Sequence, residues 1–120
     1  MSLNNLDRGF SLHVTITIDP SNIDAFLSAL RPCYEAVVAE PDCTYFEVFH
    51  SLDEPGVFRF VENWTKSPEW FRENQLNKEY YKPYLEITQP MWIKPRAFSL
   101  FSRLPHEWTT VKGGNFGVGT

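Results

Sequence analysis

"FVENWTKSPEWFRENQ", residues 60–75, holds the junction that decides the fold. Phe60, Glu62 and Trp64 recur at every second position, the period of a β-strand, and Phe58 extends the same face upstream. Ser67-Pro68-Glu69 then reads as a helix start, with a capping hydroxyl, proline at the first position and an acid in the first turn. A strand therefore runs straight into a helix. It leaves a carboxylate and an indole on one face at the point of exit.

Upstream, Asp53-Glu54-Pro55-Gly56 is a turn joining a strand at Cys43–Ser51 to the strand at Val57–Thr65, which makes the two a hairpin. Before the hairpin, Ile23, Phe26, Leu27, Leu30, Tyr34, Val37 and Val38 recur at three- and four-residue spacing, one face of a helix. Pro32 is expected to kink or split that helix, and Glu40-Pro41-Asp42 to end it. Phe10–Asp19 alternates: Phe10, Leu12, Val14, Ile16 and Ile18 on one face, Ser11, His13, Thr15 and Thr17 on the other. Asp19 or Ser21 can cap the helix that follows.

Downstream, the helix from Ser67 carries Trp70 and Phe71 and later Tyr80, Tyr81, Tyr84 and Leu85, with Pro83 and Pro90 marking a break or an end. Met91–Leu104 reads as a long fourth strand in which Pro95 marks a bulge or an edge. Lys94 and Arg96 then share a strand face, as candidates for salt bridges at an interface.

The order β-α-β-β-α-β is the split βαβ, ferredoxin-like unit, an α+β fold. The reading divides the chain into a polar leader, 1–9, a domain, 10–104, and an extension, 105–120, that holds four of the six glycines. Helices cover one face of such a sheet. A second copy is the usual cover for the other, so a homodimer is expected.

At 120 residues the chain has room for one modest core. Its 16% aromatic content implies an aromatic core, a ring-lined cavity or an interface. A net charge of −4 without a dense basic block argues against a nucleic-acid partner. No run of residues suits a membrane span, and the first nine lack the apolar core of a secretory signal. Cys33 and Cys43 make no disulfide framework, so free thiols in a reducing, cytoplasmic setting are expected. Three scattered histidines and no paired cysteines give no metal-ligand cluster, and no glycine fingerprint for a flavin or nicotinamide follows a strand. No cofactor is expected.

"FSLHVTITIDPSNIDAFLSAL", "AEPDCTYFEV" and "FRFVENWTKSPEWF" together resemble the antibiotic biosynthesis monooxygenase (ABM) domain family over about residues 10–102. The most specific pieces are Glu40-Pro41 before the second strand and Glu62-x-Trp64 ending the third. The resemblance implies a dimeric α+β barrel. It also implies one of several activities: cofactor-free oxidation of phenols or anthrones by dioxygen, haem degradation with a helix histidine on iron, or isomerisation of small sugars. Asn74 stands near the place of that histidine, and no histidine lies between His50 and His106, so haem degradation is not expected.

Two readings of Glu62 and Trp64 stay open. In one, Trp64 plugs the end of the core while Glu62 bonds a backbone N–H or an arginine. In the other, both line a pocket between sheet and helices, with Glu62 as a base whose pKa burial raises. His50 shares a face with Phe46 and Val48 and is a second candidate base; Asn74 is a candidate hydrogen-bonder to substrate oxygen. Phe46, Phe60, Trp70, Phe71 and Tyr81 are the expected substrate-binding wall. The function that follows is cofactor-independent, monooxygenase-like oxidation of a small hydrophobic or aromatic metabolite. The alternative is a dimeric accessory protein that binds such a molecule without chemistry.

Overall fold

The computed structural model describes residues 8–113. Its elements are β1 (Phe10–Thr17), α1 (Ile23–Val38), β2 (Cys43–His50), β3 (Val57–Trp64), α2 (Pro68–Glu73), α3 (Tyr81–Thr88) and β4 (Ala97–Ser102). The strands form one antiparallel sheet in the order β2-β3-β1-β4. β3 thus sits between β2 and β1, as a split βαβ unit requires. The fold is α+β and ferredoxin-like.

The alternation in β1 carries through to burial: Phe10, Leu12, Val14 and Ile16 are buried and their neighbours half-buried. On β3 the buried set is Phe58, Phe60, Glu62 and Trp64. α1 buries Phe26, Leu30, Cys33 and Val37 over this face and lies against α3. The registers stack the inward residues into rows across the sheet. Phe46, Glu62, Leu12 and Leu100 form one row, and Val48, Phe60, Val14 and Phe98 the next.

Asp19 is the residue that caps, its carboxylate accepting the Ser21 N–H at 2.9 Å above a short 3-10 turn that leads into α1. α1 runs unbroken past Pro32, contrary to a split. Proline has no N–H, so the Ser28 carbonyl one turn earlier loses its helical donor. Ser28 and Pro32 are both exposed, and water can serve that oxygen. Gly56 closes the hairpin at φ +90°, and a Cβ there would fall 2.2 Å from the Ile18 carbonyl oxygen, so only glycine fits.

Two expected boundaries move. The helix from Ser67 ends at Glu73, passes through a 3-10 turn at Gln75–Asn77 and restarts as α3. Pro83 is tolerated because it lies in the first turn of α3, where an N–H has no helical partner. The fourth strand is shorter than Met91–Leu104. Met91 ends a 3-10 turn, Trp92 makes an isolated bridge to Ile18, and Pro95 falls before Ala97, where regular pairing begins. β4 is an exposed edge strand, with Phe98 54% and Leu100 51% accessible. The described part of the C-terminal extension is largely exposed and tied back by Arg8, which donates to Thr109 Oγ1 at 3.1 Å. The rest of the extension and most of the leader lie outside the described residues. Among the described residues no helix is long and apolar enough to cross a membrane.

Candidate active site

The rows of the sheet and the inner faces of α1 and α3 bound an open-sided cavity of about 400 Å³. Its floor comes from Phe10, Leu12 and Val14 on β1, Phe46 on β2, Phe60 on β3, and Phe98 and Leu100 on β4. Its roof comes from Leu30, Cys33, Tyr34 and Val37 on α1, Phe71 on α2, and Tyr81, Tyr84 and Leu85 on α3. The volume falls in the range of sites for small organic ligands, and the lining is overwhelmingly apolar.

Glu62 is the carboxylate in that lining. It is 6% accessible and sits between Leu12 and Phe46 across the sheet. Burial pushes its pKa up from 4.5 to about 7, against the opposing pull of the Trp64 N–H and the Arg96 guanidinium. A group that titrates there can take up and return a proton near neutrality.

Trp64 follows the first of the two open readings and not the second. Its indole is fully buried, packs edge-on to Phe71 at 5.1 Å and does not line the cavity, so it does plug the end of the core. Its Nε1–H donates to Glu62 Oε1 at 3.1 Å, so it also holds the carboxylate.

Of the expected wall, Phe46, Phe60, Phe71 and Tyr81 line the cavity. Trp70 does not; it packs behind Trp64, ring centres 6.4 Å apart. His50 is on the inward face as expected but four residues along β2 from Phe46, roughly 13 Å away at strand rise. It is exposed at the hairpin end, where its Nε2 accepts the Gly56 N–H at 3.0 Å, and so it does not close the cavity. Asn74 is exposed at the end of α2, its amide donating to the Trp70 carbonyl oxygen at 3.1 Å, and is likewise outside the lining.

Arg96 corrects the expected strand face. Because β4 starts only at Ala97, Arg96 is not paired into the sheet. Its guanidinium lies over the rings of Trp92 and Phe98, at 5.2 and 4.9 Å, and lines the cavity. The flanking aromatics at Trp92 and Phe98 were the available signal, since a guanidinium stacks on ring faces. Arg72 and Cys33 also line the cavity, and burial pushes the Cys33 thiol up to about 12, which keeps it protonated. No histidine is in the lining, and no group of three or more His, Cys, Asp or Glu converges anywhere among the described residues.

The family described as antibiotic biosynthesis monooxygenase matches residues 9–76. A Pestalotiopsis microspora protein named "putative monooxygenase" is 41% identical over 102 residues, covering 84% of this chain and 85% of that protein. Among solved structures, a "putative antibiotic biosynthesis monooxygenase" from Caulobacter crescentus superposes with a TM-score of 0.73 at 17% identity, covering 79% of this chain and 89% of the other. One of the same description from Nitrosomonas europaea gives 0.70 at 19% identity, with 79% and 98% covered. At these identities the structural likeness is one of fold.

Proposed function

Because the chain belongs to the antibiotic biosynthesis monooxygenase family, we propose that it oxidises a phenol- or anthrone-type metabolite with dioxygen, without a cofactor, in the cavity around Glu62. The supporting observation is the position of Glu62, a buried carboxylate with a pKa of about 7 lining an otherwise apolar cavity.

The chemistry needs little else from the protein. Glu62, ionised, removes a proton from the activated CH₂ of an anthrone. The resulting carbanion gives one electron to dioxygen, and the radical and superoxide combine into a C–O–O⁻ peroxide. Protonated Glu62 returns the proton to the distal oxygen. Loss of the second C–H proton, with cleavage of the O–O bond, leaves a carbonyl and one water. Dioxygen is the oxidant, and the substrate carbon supplies all the electrons. The Arg96 guanidinium, close enough to draw the Glu62 pKa down, offsets charge on the anion. The lining around Glu62 is overwhelmingly apolar, which disfavours water beside the peroxide.

Oxygen uptake with anthrone in metal-free buffer tests the proposal, with Glu62→Gln as control. Uptake by the wild type that the variant loses is the expected result. Binding of anthrone with no uptake would leave the alternative, an accessory protein that only carries its ligand.

The reading includes a second copy of the chain. The face of the sheet away from the helices carries His13, Thr15, Arg59, Val61 and Asn63 with no helix over it among the described residues, and Phe49 and Phe101 are exposed. A dimer through that face and β4 covers them.

A further inference from the structure

The roof of the cavity is backed by a chain of four hydrogen-bonded side chains whose proton directions can be read from one end. Glu40, just after α1, forms an ion pair with the Lys78 ammonium at 3.5 Å. An ionised carboxylate only accepts. Tyr80 Oη, 2.7 Å from Glu40 Oε2, therefore spends its single proton there. Tyr80 Oη also contacts the Gln75 amide at 2.6 Å and must accept in that contact. That turns the NH₂ of Gln75, not its oxygen, toward the tyrosines. The second N–H of the amide goes to Tyr81 Oη at 2.8 Å. Tyr81 is thereby an acceptor toward Gln75, and its own proton remains unspent. Its hydroxyl has no other partner among the described residues, and its side chain lines the cavity together with Glu62.

The burial of Gln75 makes this arrangement more than incidental packing. Gln75 is completely buried, and its Oε1 has no partner. Leaving a buried acceptor unsatisfied carries the full desolvation cost of that group. The cost is explained if the amide has to present nitrogen to both tyrosines. Burial also raises the pKa of Tyr81, so its hydroxyl keeps its proton. One turn further along α3, Tyr84 lines the same cavity with its ring.

We propose that Tyr81 donates a hydrogen bond to a carbonyl oxygen of the bound molecule, its direction fixed by Glu40 through Tyr80 and Gln75, so that the cavity selects an apolar ring ketone. The assignment rests on the cavity being the active site. It adds the substrate's polar group: a carbonyl at the Tyr81 wall while the acidic carbon faces Glu62.

Fluorenone and fluorene separate this from general packing, because they share a shape and differ in the carbonyl. Neither needs Glu62 chemistry in order to bind. Dissociation constants for both are measured on the wild type, Tyr81→Phe and Tyr80→Phe, alongside anthrone-dependent oxygen uptake. Tyr81→Phe should lower the preference for fluorenone over fluorene by about three- to tenfold, the range of one net hydrogen bond. A merely structural defect would weaken both ligands alike and leave the ratio unchanged. Tyr80→Phe frees the Gln75 amide to turn its oxygen toward Tyr81 and take its proton, so the preference should fall there too. An unchanged ratio in Tyr81→Phe overturns the donor role. A ratio that moves in Tyr81→Phe but not in Tyr80→Phe overturns the relay. Wild type that binds neither ligand overturns both. If the ratios behave as expected and uptake is absent, the oxygenase reading fails and the Tyr81 assignment stands.

Discussion

Trp64 Nε1 donates to Glu62 Oε1 at 3.1 Å, and the two residues stand two apart on one face of β3. The donor is wholly buried, while the acceptor opens into the cavity. An indole can only donate, so this contact binds the ionised carboxylate more tightly than the protonated one. It moderates the rise that burial imposes, and the outcome is a pKa of about 7 rather than a permanently neutral acid.

Glu62→Gln keeps the shape and the hydrogen bond from Trp64 but removes the base. Turnover should fall by about 10²–10⁴, the usual contribution of general base catalysis, with the fold intact. In the wild type the active form is the ionised one, so the rate of proton abstraction should rise with pH and level off above about 7. Stopped-flow oxygen consumption across the neutral range checks both. A flat profile, or activity in the variant that only tracks its melting temperature, would remove Glu62 from the mechanism.

The same pKa carries a stability consequence of opposite sign. Glu62 binds its proton more tightly folded, at about 7, than unfolded, at 4.5. Its share of stability is therefore intact below 4.5 and is lost as pH rises through about 7. The loss above that is of order 3 kcal/mol. Glu62→Gln should gain melting temperature over the wild type on the alkaline side of that window and lose the advantage at pH 4.5. Thermal melts on the two sides measure the crossover.

Trp64→Phe removes the donor and shrinks a fully buried ring. It should destabilise by a few kcal/mol. Without the N–H the Glu62 pKa should climb further, so the inflection in the rate–pH profile should move upward. A profile that stays in place while stability drops would make Trp64 packing alone.

The strands and the strand-to-helix junction were legible because each depends on neighbours in sequence. β1 alternates without a fault, and Ser67 accepts the Trp70 N–H at 3.1 Å as a cap should. The break after Glu73 was not legible, because residues 74–80 leave the helix to join a network that reaches Glu40, forty positions from Tyr80. His50 shows a related limit. Period two gives its face correctly but not its distance along the strand from Glu62. Arg96 was misplaced because regular pairing of β4 begins only at Ala97, after an isolated bridge of Trp92 to Ile18, and neither pairing is visible in the local pattern.

The proposed dimer is the last test. Phe98, Leu100 and Phe101 are about half exposed on β4, an edge strand whose outer backbone edge has no neighbour in the sheet. Phe98 and Leu100 belong to the inward rows and wall the cavity, while Phe101 is on the other face against His13, ring centres 4.6 Å apart. An edge with apolar groups on both faces is a liability for a lone chain and is commonly covered. Light scattering should give twice the monomer mass at micromolar concentration. Phe101→Glu, on the face that takes no part in the cavity, should shift the protein toward monomer. A wild type that stays monomeric would overturn the dimer. If Phe101→Glu yields a folded monomer with the anthrone affinity of the wild type, the cavity is complete within one chain. If affinity falls with dissociation, β4 needs the second copy to hold Phe98 and Leu100 in place against the ligand.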